Sequence, residues 1–120
     1  MTPIDIIETA RLAVFDNLPD QQTWEDKDYL MALNDARSLL FSKCPEARVT
    51  AVVGLVDYAK IAEADLANEI AEDAIYRNFY VEFLAWRFFD AGSRDTANRQ
   101  KAADHKAGYL QALSMLTGGR

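Results

Sequence analysis

The stretch TWEDKDYLMALNDARSLLFSKCPEA, Thr23 to Ala47, decides how the chain is read. Thr23 suits a helix N-cap, Asp26 stands three positions on where an acid can reach back to the cap, and residues 24–28 load the first turn with negative charge. Leu30, Leu33, Ala36 or Arg37, Leu40 and Cys44 then recur at helical spacing over about five turns. Pro45 pushes Cys44 out of helical backbone angles, so the helix is expected to end there or just before. The segment reads as one long helix with a cap, a buried stripe and a stop.

On its N-terminal side, Thr2, Pro3 and Asp5 read as an N-cap, a first-turn proline and an acid that complements the dipole. They open a first helix from Pro3 to about Phe15 that carries Ile6, Ile7, Ala10, Ala13 and Val14 inward. The polar, proline-containing run from Asp16 to Gln22 reads as a linker loop.

On its C-terminal side, Arg48 to Ile61 is rich in β-branched residues, with Val49, Ala51 and Val53 alternating before Gly54. This favours an extended or β-hairpin arm up to about Tyr58, within a variable stretch of residues 47–64, while Ala and Glu leave a helical reading open for Leu55 to Ala67. From Asp65 the helical signal returns: Leu66, Ile70, Ala74, Arg77, Val81, Leu84 and Phe88 predict a third helix to about Asp90. Its second half is apolar on nearly every side, as in the central helix of a fold or one partly covered by another subunit. Gly92 is expected as a left-handed C-cap and Asp95 or Thr96 as the next N-cap. A fourth helix follows from about Thr96 to Leu116, with a thin stripe of Ala103, Leu110, Leu113 and Leu116, and pairs with the third as a hairpin. The expectation is one mainly α domain over residues 1–120, a four-helix bundle-like fold with a C-terminal helical hairpin and a flexible tail at residues 117–120.

A chain of 120 residues has room for a single core. Half its residues are apolar and 27% are charged, outside the range of disordered chains. A formal net charge of −6 repels phosphate backbones and disfavours general nucleic-acid binding. The single cysteine, Cys44, excludes an intrachain disulfide and a cysteine zinc cluster, and the chain has neither a basic leader nor about 18 consecutive apolar residues. The cytosol is the default compartment of such a sequence.

Chemistry-bearing residues are sparse. His105 is the single histidine, on a polar helix where a solvated surface role is the default, and no Glu-x-x-His tetrad marks a di-metal bundle. Cys44 sits at a helix C-terminus, where the dipole disfavours a thiolate, and reads as a small buried hydrophobe. Glu69, Glu72 and Asp73 form a carboxylate run, read as a solvated first turn. No glycine-rich phosphate loop is present, so no catalytic residue, metal or cofactor is assigned. Arg94, Arg99, Lys101 and Lys106 alternate with acids and alanines, as on a solvated face or a rim that pairs with a partner's charges. The aromatics Tyr76, Phe79, Tyr80, Phe83, Trp86 and Phe89 suit a core, yet so many within fourteen residues predict that some face a second subunit.

With these residues in view, the chain resembles the head-to-tail adaptor, or connector, proteins of tailed bacteriophages. The resemblance lies in Trp24, Asp26, Tyr29 and Leu30, then Leu33, Asn34, Asp35 and Ala36, then Pro45, Glu46 and Ala47. The hairpin supports it through Trp86, Arg87, Asp90, Ala102, Ala103, Leu110 and Leu113. The spacing of Arg87 and Asp90 is shorter than the family's, and the middle segment lacks the family's longer insert with its Gly and Pro landmarks. The resemblance implies a non-enzymatic virion protein in a ring of about twelve copies, between a portal protein and tail or nozzle proteins. DNA would pass through the ring without specific binding, and assembly would take place in the host cytoplasm. On this reading Trp24, Asp26, Leu30, Leu33, Asn34, Asp35 and Pro45 are a fold signature. Tyr80, Trp86, Phe89, Arg94, Arg99 and Arg120 are the expected subunit or portal interface. Two other readings stand beside it: a helical interaction or regulatory protein forming a small oligomer, and a small enzyme using His105 with Asp104 or Glu82.

Overall fold

The structure, a computed structural model, describes residues 1–18, 22–50, 54–55 and 60–118. Four helices make up most of it: α1 (Pro3–Ala13), α2 (Asp26–Lys43), α3 (Arg77–Ala91) and α4 (Thr96–Leu116). Between α2 and α3 lie two two-residue strands, β1 (Val49–Thr50) and β2 (Gly54–Leu55), paired antiparallel with Val49 opposite Leu55. The mainly α, bundle-like class read from the sequence is the one observed. The remainder of the expected arm, residues 51–53 and 56–59, lies outside the described residues.

Helix α3 is the axis. Helices α1, α2 and α4 all pack on it, and Phe79, Tyr80, Leu84 and Ala85 have no accessible surface. Its all-round apolar character therefore belongs to a central helix: of the six aromatics, five are buried in this chain's own core and Trp86 is half-exposed. Rings interlock across the hairpin, with Tyr109 of α4 at 5.1 Å from Phe83 and 5.3 Å from Trp86. Such contacts add to area burial, which gives about 25 cal/mol per Å² of apolar surface.

Local signals account for most boundaries. The Thr2 hydroxyl accepts from Asp5 N at 3.2 Å and caps α1 as expected. The helix stops two residues before Phe15, because Asp16 N bonds Arg11 O at 2.8 Å and Phe15 N bonds Leu12 O at 3.3 Å. This pair of bonds is a Schellman turn, and it puts Phe15 at φ +59. Cys44, at φ −132, ends α2 ahead of Pro45 as read. The Asp95 carboxylate accepts from Ala97 N at 2.8 Å and opens α4 at Thr96, also as read.

Three boundaries differ from expectation. Helix α2 is capped by Glu25, whose N–H is accepted by Asp28 at 2.9 Å, because Thr23 and Trp24 are held outside the helix by Asp16. Helix α3 begins at Arg77 rather than near Asp65. The intervening residues make short 3-10 turns, Glu63–Asp65 and Ala74–Tyr76, and serve the start of α1 instead: Ile4 N bonds Leu66 O at 2.9 Å and Ile70 N bonds Met1 O at 3.1 Å. Gly92 caps α3 with φ −104, so no left-handed residue is needed in that turn; the left-handed glycine is Gly118, at φ +66. On α4 the buried residues are Ala102 and Tyr109, with Leu113 and Leu116 half-buried, whereas Ala103 and Leu110 of the expected stripe face solvent. Thr117 is buried and bonds Leu113 O through its N–H, so the packed part extends one residue into the expected tail.

Candidate functional site

Four residues of the α2 signature, Trp24, Asp26, Asn34 and Asp35, tie that helix to other parts of the chain. The Trp24 ring meets Tyr29 at 5.1 Å and Phe88 at 5.3 Å, both edge-on. Asp26 accepts from Arg11 Nη2 at 2.8 Å. Leu30 and Leu33 are buried. The Asn34 amide pairs with Ile61 twice, donating to its carbonyl at 3.2 Å and accepting its N–H at 2.9 Å, as a strand neighbour would. Asp35 accepts from Arg87 Nη1 at 3.0 Å, and Pro45 stops the helix.

Two buried polar clusters flank this helix, and neither follows from the periodicity of the sequence. In the first, Arg11 Nη1 donates to Trp24 O at 2.9 Å and to Asp16 at 3.1 Å, with its guanidinium 4.6 Å from the centre of the Tyr29 ring. Asp16 also accepts from Thr23 N at 2.6 Å and from the Tyr29 hydroxyl at 2.9 Å. One carboxylate thus fixes the segment that leads into α2, and burial together with the bond to Asp16 pushes the Tyr29 pKa far up. In the second, Arg37 Nε and the Tyr80 hydroxyl both donate to Glu72 Oε1. Burial and then the Glu72 charge raise the Tyr80 pKa strongly. Glu72 Oε2 is buried with no hydrogen-bond partner among the described residues.

The expected carboxylate run therefore splits three ways. Glu72 is a buried ion-pair partner, Glu69 meets the Met1 amino group at 2.6 Å, and Asp73 caps the turn at Ile75. Cys44 is buried, as read. His105 departs from the solvated default: Nδ1 lies 2.8 Å from Glu82 Oε2, and the ring stacks on Phe89 at 5.6 Å. Gly108 makes room for this pair, since a Cβ there would stand 2.6 Å from the Glu82 carboxylate. Of the two acids suggested for His105, Glu82 is the one beside it. Among the described residues no group of three His, Cys, Asp or Glu could hold a metal ion, and no helix is long and apolar enough to cross a membrane.

The expected interface residues fall into separate places. Tyr80 and Phe89 are buried in this chain's own core, which corrects their assignment to a contact surface. Trp86 and Arg99 line one shallow groove of about 380 Å³ with Asp90, Ser93, Ala103 and Lys106. Arg94 is exposed nearby in the chain, and Arg120 lies outside the described residues. Sequence reading missed three exposed apolar side chains close in the chain, Leu12, Phe15 and Leu18, exposed by 61%, 85% and 55%. Their only advance signal was that Leu12 and Phe15 lie off the stripe of Ile6, Ala10 and Val14. A groove of about 450 Å³ is lined by Ile4, Glu8, Leu12, Asn17 and Asp26 among others. The groove at Leu12 thus carries Glu8 and Asp26 with the buried Arg11, and the groove at Trp86 carries Arg99 and Lys106 with Asp90. No protein-family model, curated protein or solved structure matches the chain.

Proposed function

We propose that the chain is a head-to-tail adaptor of a tailed bacteriophage, a non-enzymatic virion protein that forms a ring between portal and tail. The observation that supports this reading is the role of the residues that carry the resemblance. Trp24, Asp26, Asn34 and Asp35 each fasten α2 to a different partner: the Phe88 ring, Arg11, Ile61 and Arg87. They behave as a signature of a scaffold, and the polar groups that could serve chemistry at α2 are engaged in holding it. An acidic chain also suits a lumen through which DNA passes without sticking.

Light scattering on the chain alone and mixed with a portal protein tests the reading. A complex carrying many copies per portal is expected; single chains in both samples would sink it. The small-oligomer reading is favoured by the exposed Leu12, Phe15 and Leu18, and it is separated by the same experiment, since it requires a dimer or trimer indifferent to portal. The pairing of His105 with Glu82 favours the enzyme reading. On the adaptor reading, His105→Ala leaves portal binding intact.

A further inference from the structure

Phe15 combines two unfavourable features at one position. Its backbone sits at φ +59, where a residue with a Cβ is strained and glycine is the usual occupant of a Schellman turn. Its ring is 85% exposed, so no packing within the chain offsets that strain. Strain of this kind is held in place by the surrounding bonds, here those of the turn, and clusters at functional sites. Leu12 and Leu18, three residues to either side, are exposed as well, and Glu8 lines the groove at Leu12 together with Asp26, which the buried Arg11 already pairs. Glu8 has no ion-pair partner among the described residues.

The groove on the hairpin has the complementary character. Trp86 and Ala103 give it an apolar floor, and Arg99 and Lys106 give it cations that no carboxylate neutralises among the described residues, with Asp90 as the acid on its wall. Arg99, Ala103, Lys106 and Leu110 recur at the i, i+4, i+7 and i+11 positions of α4 and are all exposed, so the groove runs into a continuous stripe. The two surfaces lie on different flanks of α3. Val14 seats the end of α1 beside Ala85 and Phe89, whereas the groove opens beside Trp86 and Asp90, about 100° further round the helix.

We infer that Phe15, with Leu12 and Leu18, docks into the Trp86–Ala103 groove of a second copy of this chain, Glu8 facing the partner's Arg99 and Lys106. Knob and groove are different patches, so the contact is head-to-tail and each copy keeps one free knob and one free groove. Such a contact propagates, and closes into a ring when the rotation per copy allows. The inference deepens the ring proposed above and rests on that reading only for closure; the contact itself is tested without a portal.

The test is a mixing experiment followed by sedimentation velocity. The wild-type chain is expected to gain mass as its concentration rises. Phe15→Gly relieves the left-handed strain, so its melting temperature is expected at or above the wild-type value while self-association is lost. Ala103→Arg fills the groove at an exposed helical position and is likewise expected to stay a folded single chain. An equimolar mixture of the two variants should form a one-to-one dimer and stop, because one supplies the only knob and the other the only groove. Self-association that survives in Phe15→Gly overturns the contact, as does a mixture that stays monomeric while the wild type associates, or a wild type that is monomeric at every concentration. If Phe15→Gly loses portal binding and keeps its self-association, the patch belongs to the portal and the contact is wrong. A wild type that binds portal yet fails the mixing experiment leaves the adaptor reading standing without this contact.

Discussion

Helices α2 and α4 are both long, 18 and 21 residues, and they treat their surroundings in opposite ways. Helix α2 buries nine residues, Asn34 and Arg37 among them, and its polar side chains reach α1, α3 and the chain at Ile61. Helix α4 buries Ala102 and Tyr109 and leaves Arg99, Ala103, Lys106 and Leu110 facing out. On the function proposed above, the contrast separates two jobs that one amphipathic pattern can conceal. Substitutions on α2 should act on folding, and substitutions on the outer face of α4 should act on association alone.

The largest effect is expected from Arg37→Ala. It leaves the Glu72 carboxylate buried without its cation, which costs about 3–5 kcal/mol and lowers the urea midpoint accordingly. Next comes Leu33→Ala, which opens a cavity at a fully buried position for about 2–5 kcal/mol in the same assay. Asn34→Ala removes both bonds to Ile61 and should cost about 1–3 kcal/mol, with faster hydrogen exchange at the Ile61 amide as its local sign. Lys106→Glu, on the other helix, should stay within about 0.5 kcal/mol of wild type in stability. An effect on the scale of Arg37→Ala at Lys106 would erase the distinction between the two helices.

Alkaline pH probes the buried side from another direction. Tyr29 and Tyr80 have folded pKa values raised above the unfolded value near 10, so the folded chain holds protons that the unfolded chain releases. Their contribution is present in full below about pH 10 and is lost as pH rises toward the folded values, at about 1.4 kcal/mol per pH unit for each tyrosine. Tyr80→Phe should make the alkaline unfolding curve shallower by one such slope. An unchanged slope would mean that the Tyr80 hydroxyl is not buried in the fold.

The sequence made α2 and α4 legible because each has a cap and a stop that act locally: Pro45 ends one helix and Asp95 starts the other. The start of α3 was not legible. Leu66 and Ile70 do carry helical spacing, but their backbones are used by Met1 and Ile4 some sixty residues away, a demand no local pattern records. The α2 cap was misplaced by two residues for a related reason, since Asp16 claims the Thr23 and Trp24 amides first. Arg37 stood with Ala36 as a candidate for the inward stripe, but nothing local pointed to Glu72 as its partner or to the burial of Arg11 against Asp16. Of the residues singled out from composition and charge, Trp86 and Arg99 line one groove. Phe15 was not, because its interest lies in a backbone angle.

Hydrogen exchange on the chain, free and then assembled on the portal, tests most directly the division between a helix that folds the molecule and a face that joins it to others. Slower exchange is expected at residues 12–18 and along residues 99–110 on assembly, with the α2 amides unchanged. New protection concentrated in α2, with residues 12–18 and 99–110 as open as before, would contradict it.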